Sequence, residues 1–146
     1  MSSQATGLLI GGLLPALLYS LGNICLKAAN DSGIDIGPYL AVIGGSVLLV
    51  SLLFFLLSPG GEISLRSGLY TLGMGASWAI GTGLVAIAIA RYGIPLGKVV
   101  PLFNMNTLLS VLLALWIFAE WKSVHVPRLL LGSALIVLGG VLVTRS

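Results

Sequence analysis

The chain has 146 residues, 58% of them hydrophobic and only 8% charged, with a mean hydropathy of +1.12. Soluble domains carry about 25% charged residues, so composition excludes a soluble domain. The formal net charge of +3 comes from basic residues scattered singly at the ends of apolar stretches. That is the pattern of helix anchors and not of a nucleic-acid patch.

Five apolar stretches fill the chain, at residues 6–26, 37–57, 67–90, 99–119 and 126–144. A hydrocarbon core of ~30 Å needs about 20 helical residues, and none of the stretches has a charge at its centre. The expectation is an all-α, polytopic membrane protein, with residues 1–146 forming one transmembrane domain of five helices. An odd number of spans puts the two termini on opposite sides.

The first stretch contains Pro15, which removes a backbone hydrogen bond and is expected to bend the helix. The opening Met-Ser-Ser-Gln-Ala-Thr lacks the basic residues of a signal peptide, and the stretch runs into Lys27 without a clear cleavage site. It therefore reads as a retained helix. The segment 28–36, with Asp31 and Asp35, reads as a polar connection outside the membrane. The second stretch ends at Ser58-Pro59-Gly60-Gly61, a strong turn signal. The third ends at Arg91-Tyr92-Gly93. In the fourth, Pro101 is expected in the first helical turn, where proline is tolerated. Glu120-Trp121-Lys122-Ser123-Val124-His125 follows it. The fifth is flanked by Arg128 and Arg145, both able to snorkel.

Orientation is weakly encoded. Arg66, Lys122 and Arg128 fall on the N-terminal face; Lys27, Arg91, Lys98 and Arg145 fall on the other. A difference of one basic residue gives almost no positive-inside signal. Two readings stay open: one orientation set by finer details such as a partner, or dual topology, with copies inserted both ways and paired antiparallel. Many carriers hold substrate near the midplane between inverted repeats, and two oppositely inserted copies of this chain make the same object.

The residues of the second half carry a resemblance. Trp78-Ala79-Ile80-Gly81 is followed by Ala88-Ile89-Ala90-Arg91-Tyr92-Gly93, then Val100-Pro101-Leu102 and Phe118-Ala119-Glu120. The glycine-rich run Leu131–Gly140 closes the set. This resembles the EamA-like unit of the drug/metabolite transporter superfamily, where an early proline in the fourth helix, a Gly-Glu at its end and a glycine-rich fifth helix recur. The resemblance covers about the last 75 residues well and the first 65 by helix layout alone. It implies transport by a pair of such units. Ala119 stands where the pattern has glycine, and this chain holds one unit where typical members hold two. It is thus similar to half-length members, and distantly to small multidrug resistance proteins, which also need a second copy. The essential first-helix glutamate of that branch has no counterpart here.

Candidate functional residues are polar groups at membrane depth, which are costly unless they face protein or water. Gly12, Ala16, Tyr19, Ser20, Asn23 and Lys27 share one face of the first helix. Tyr19 is suited to stack on a ligand and Asn23 to hydrogen-bond it. Trp78 lies halfway along the third helix on a face with Thr71, Gly75 and Thr82, and Trp78 and Thr82 are candidates to wall a cavity. The face Gly73–Ser77–Gly81 reads as helix packing. The fourth helix carries Asn104, Asn106, Thr107 and Ser110. Asn104 and Asn106, two apart, point to different faces of a regular helix, and each is a substrate-binding candidate. Packing against neighbouring helices is the competing reading for all of these.

Glu120 borders the fourth helix and is a weak candidate for coupling, with a local ion pair as the alternative. Gly132 and Gly139, one heptad apart, are candidates for a subunit contact. One His, one Cys and four acids supply no nucleophile–base pair and no metal cluster. Gly11-Gly12 lies inside an apolar helix and is not a phosphate loop. Neither an enzyme, a cofactor nor a nucleic-acid partner is expected. The expectation is a carrier for a small polar molecule, drug-like or metabolic, in an inner membrane, acting as a homodimer. The alternative is a non-transporting or heteromeric subunit that pairs with an oppositely oriented partner.

Overall fold

The computed structural model describes residues 2–58 and 60–145. Among these residues the regular structure is all helical. Five helices are long and apolar enough to cross a membrane: Ser3–Asp31, Ile36–Leu57, Leu65–Tyr92, Leu96–Ile117 and Val126–Thr144. They are the first to fifth helices in chain order. At about 1.5 Å per residue, even the shortest, of 19 residues, reaches close to the thickness of a hydrocarbon core. The chain is a multi-pass membrane protein by the length and apolarity of these helices.

The helices run past the apolar stretches where polar residues satisfy the backbone locally. The first continues through 28–31, read above as part of a loop, so the connection to the second shrinks to residues 32–35. The Asn30 amide donates to the Leu26 carbonyl at 2.8 Å, and Lys27 pairs with Asp31 one turn on. Polarity there marks departure from the lipid, not the end of the helix. The third helix starts at a Ser64 cap whose hydroxyl accepts the Ser67 N–H at 3.1 Å. It ends at Gly93, which takes the left-handed φ of 62° and returns its N–H to the Ile89 carbonyl.

Two helices carry interrupted hydrogen-bond ladders. In the first, residues Leu9–Leu13 form a π-helical turn, with the Leu14 N–H reaching the Leu9 carbonyl. Pro15 has no N–H to offer Gly11, and the widened turn just before it fits its ring without breaking the helix. At the proline where a bend was expected, the ladder carries a π turn. In the fourth, the segments Leu96–Phe103 and Asn106–Ile117 are separated at Asn104–Met105. Pro101 was expected in the first turn. It lies in the interior instead, because Pro95, with φ −60° and ψ 138°, serves as the cap and the helix begins at Leu96.

The helices fall into two contact units, one ending at Gly93 and the other starting at Ile94. In the first unit, the last turns of the first helix (Leu26, Asn30), the start of the second (Tyr39) and the second half of the third (Gly83, Ala86, Ile89) supply the buried residues. Gly83 faces Leu40, whose Cδ1 lies 3.3 Å from the position of an added Cβ. The remaining lengths of these helices expose large aliphatic side chains on every side, as lipid-facing helices do. In the second unit, both halves of the fourth helix pack on the fifth. Val99, Ser133 and Gly140 are buried there.

Candidate substrate site within the membrane-spanning helices

A hydroxyl in a membrane helix can satisfy itself by donating to a carbonyl one turn back. Ser20 does so to Ala16 (2.8 Å), Ser46 to Val42 (3.0 Å), Ser51 to Leu48 (2.8 Å), Thr71 to Ser67 (2.9 Å) and Thr144 to Val141 (2.7 Å). These side chains need nothing further from their surroundings. Ser20, placed on the candidate face of the first helix, is therefore spent on its own backbone.

The polar side chains of the third and fourth helices near mid-span behave differently. Ser77, Thr82, Asn104, Asn106, Thr107 and Ser110 make no side-chain hydrogen bond to any described residue. Neither do Asn23 on the first helix, the Tyr19 hydroxyl or the Trp78 indole N–H. Tyr19 is 72% and Trp78 48% exposed in the single chain. Asn23 and Thr82 are half-buried, and Asn104 and Asn106 are exposed.

The densest group of unspent donors and acceptors lies at the break in the fourth helix. Downstream of Pro101 the ladder is overwound. The Met105 N–H bonds Leu102 (3.2 Å), Thr107 bonds Asn104 (3.0 Å) and Leu108 bonds Met105 (3.2 Å), all i−3 links. Asn104 sits in the break itself and Asn106 opens the next segment. The i−3 links wind the chain more tightly than an α-helix, and residues two apart, as these are, still leave such a turn in different directions. No charge lies between Lys98 and Glu120, so the group is neutral, with two amides and two hydroxyls that both donate and accept.

The first unit holds Tyr19, Asn23, Trp78 and Thr82, and the second holds Asn104 and Asn106. No hydrogen bond or ring contact joins these candidates within either unit. A shallow 280 Å³ depression lined by Ile43, Ser46, Val47 and Val50 lies on a single stripe of the second helix and includes none of them.

Gly132 and Gly139 are exposed, and an added Cβ at either meets nothing within 4 Å. The glycine that packs inside the unit is Gly140, where an added Cβ lies 2.7 Å from the Pro101 carbonyl oxygen. Sequence reasoning passed over this residue, because only the pairing of helices reveals the contact. The Gly73–Ser77–Gly81 face is likewise exposed, and Gly83, Ala86 and Ile89 do the packing it was expected to do. Glu120 is exposed in a short 3-10 turn, Glu120–Lys122, with no ion pair among the described residues.

Ala119, directly before it, has φ 54° and ψ 35°, the one left-handed non-glycine among the described residues. A residue with a Cβ is strained in this conformation, which glycine adopts freely. Aromatic and basic residues collect at helix ends, as at membrane–water interfaces. Trp116, Phe118 and Trp121 are exposed around the end of the fourth helix. At the start of the third, the Arg66 guanidinium stands 5.8 Å from the Tyr70 ring centre.

No family model, curated protein or solved structure matches this chain. The class that its helices define is that of an integral membrane protein with five candidate spans.

Proposed function

We propose that the protein is a carrier for small polar organic molecules, metabolites or drug-like compounds, working by alternating access between two copies inserted antiparallel in an inner membrane. The observation that carries this reading is the interrupted fourth helix with its neutral, unspent side chains. An amide or hydroxyl left without a partner in hydrocarbon costs about 2–7 kcal/mol. Non-helical backbone at membrane depth is tolerated only against protein or a water-filled cavity. Asn104, Asn106, Thr107 and Ser110 together therefore call for water, substrate or a second chain. Discontinuous spans of this kind hold the substrate in many carriers.

Three further features support the same reading. The resemblance to a half-length EamA-like unit implies a paired carrier. The near balance of basic residues on the two faces, three against four, permits both insertions. Gly132 and Gly139 leave a backbone surface open to a second copy. Hydroxylated metabolites and drug-like neutral molecules match the donor–acceptor set of the fourth helix. No span has a carboxylate at its centre, which favours facilitated or exchange transport over proton coupling.

The test is uptake by reconstituted vesicles, using a panel of labelled neutral polyols, sugars and zwitterionic amino acids. At least one is expected to equilibrate across the bilayer, with uptake lost in Asn104→Ala or Asn106→Ala protein that inserts normally. Vesicles as tight as protein-free ones to the whole panel, together with copurification of a second membrane chain, would favour the non-transporting subunit.

A further inference from the structure

The Pro101 carbonyl is unusual for a helix interior. In a regular helix it accepts the N–H four residues on, but the Met105 N–H bonds Leu102 instead, at 3.2 Å. The overwound turn so produced is the break that displays Asn104 and Asn106. Across from the Pro101 carbonyl stands Gly140 of the fifth helix, buried, with Met105 Cγ also within 3.9 Å of the added Cβ position. Only a residue without a Cβ fits here, since the 2.7 Å approach is to backbone oxygen and not to the tip of a flexible side chain. Its neighbour Gly139 is open on all sides, so the requirement belongs to one residue and not to the glycine-rich run in general.

We infer that Gly140 is a positioning residue for the candidate substrate site. By letting the fifth helix meet the Pro101 carbonyl backbone to backbone, it fixes where the fourth helix breaks and how Asn104 and Asn106 are presented. The inference rests on the carrier reading for the meaning of that presentation, while the contact stands independently of it. The Pro101 carbonyl and Gly140 act as one device. The carbonyl is out of the helical ladder, because the Met105 N–H turns to Leu102, and glycine gives it a place against the neighbouring helix.

The experiment uses full-length protein in vesicles, with Cys25 first replaced by serine. An Asn104→Cys thiol then reports the break through its rate of modification by a small membrane-impermeant thiol reagent. Gly140→Ala is expected to change that rate by roughly tenfold, as overpacking a tight contact displaces backbone, while Gly139→Ala leaves it unchanged. Equal rates in the Gly140→Ala and Gly139→Ala proteins would overturn the inference.

Should the thiol be unreactive in every background, the water-lined carrier site is what fails. Gly140 is then judged by thermal unfolding in detergent. A Tm lowered by Gly140→Ala and spared by Gly139→Ala upholds the positioning role. A Tm that ignores position 140 overturns it. If the Gly140→Ala protein fails to accumulate while the Gly139→Ala protein accumulates normally, the loss counts as the expected one; if both fail alike, the inference falls.

Discussion

Ala119 is held in a left-handed conformation by the turn that follows the fourth helix. The Phe118 N–H closes the helix on Ala114 (3.1 Å), and the Lys122 N–H returns to the Ala119 carbonyl (3.4 Å). For a residue with a Cβ this conformation costs about 1–2 kcal/mol, so Ala119→Gly is expected to stabilise the protein by roughly 0.5–1 kcal/mol. For a chain of this size that is a rise in Tm of a few degrees, measurable in detergent. The two tight glycines give a graded comparison at the same scale. Gly83→Ala meets a leucine methyl at 3.3 Å and Gly140→Ala a backbone oxygen at 2.7 Å. The methyl can move and the backbone cannot, so the first substitution is expected to cost less than about 1 kcal/mol and the second about 1–3 kcal/mol. Equal Tm losses would contradict that ordering.

At the scale of the element, apolar runs longer than about 18 residues identify spanning helices with little ambiguity, and all five stretches recur as helices. Their ends were harder to read, because a polar residue can cap, pair or back-bond and so prolong a helix beyond the lipid. Asn30 and Lys27 do this for the first helix. The break in the fourth was also hidden. Pro101 is harmless in a first turn and disruptive in an interior, and the difference turns on whether Pro95 begins the helix or merely precedes it. Among candidate side chains, composition could nominate Asn104 and Asn106 but could not separate Ser20, satisfied by its own helix, from Ser110, which is not. Each proline can be tested through the N–H it lacks. Pro101→Ala supplies a donor for the Gly97 carbonyl one turn back, and is expected to show a protected amide at 101 in hydrogen exchange. Pro15→Ala is expected to do the same at 15, toward Gly11, without affecting Asn104 or Asn106. A rapidly exchanging amide at 101 would contradict the helical geometry of Leu96–Phe103.

For the whole molecule, the question is what meets the polar groups that a single chain leaves unspent. Lipid cannot satisfy them. In the proposed carrier a second, inverted copy does so, alone or by enclosing water, and the balance of three against four basic residues gives almost no bias between the two insertions. That balance is easily tipped. Lys122 is exposed and forms no ion pair among the described residues, and Lys122→Gln changes the count to two against four. The expected result is a population shifted toward cytoplasmic C-termini, with transport falling as oppositely inserted partners become scarce.

Dual insertion is best examined with reporter fusions at the C-terminus. One reporter is active only in the cytoplasm and the other only outside it, each on the otherwise unaltered chain. Comparable activity from both is expected if copies insert both ways. Activity from one fusion alone would rule out the antiparallel homodimer and turn the search to a partner chain of fixed, opposite orientation.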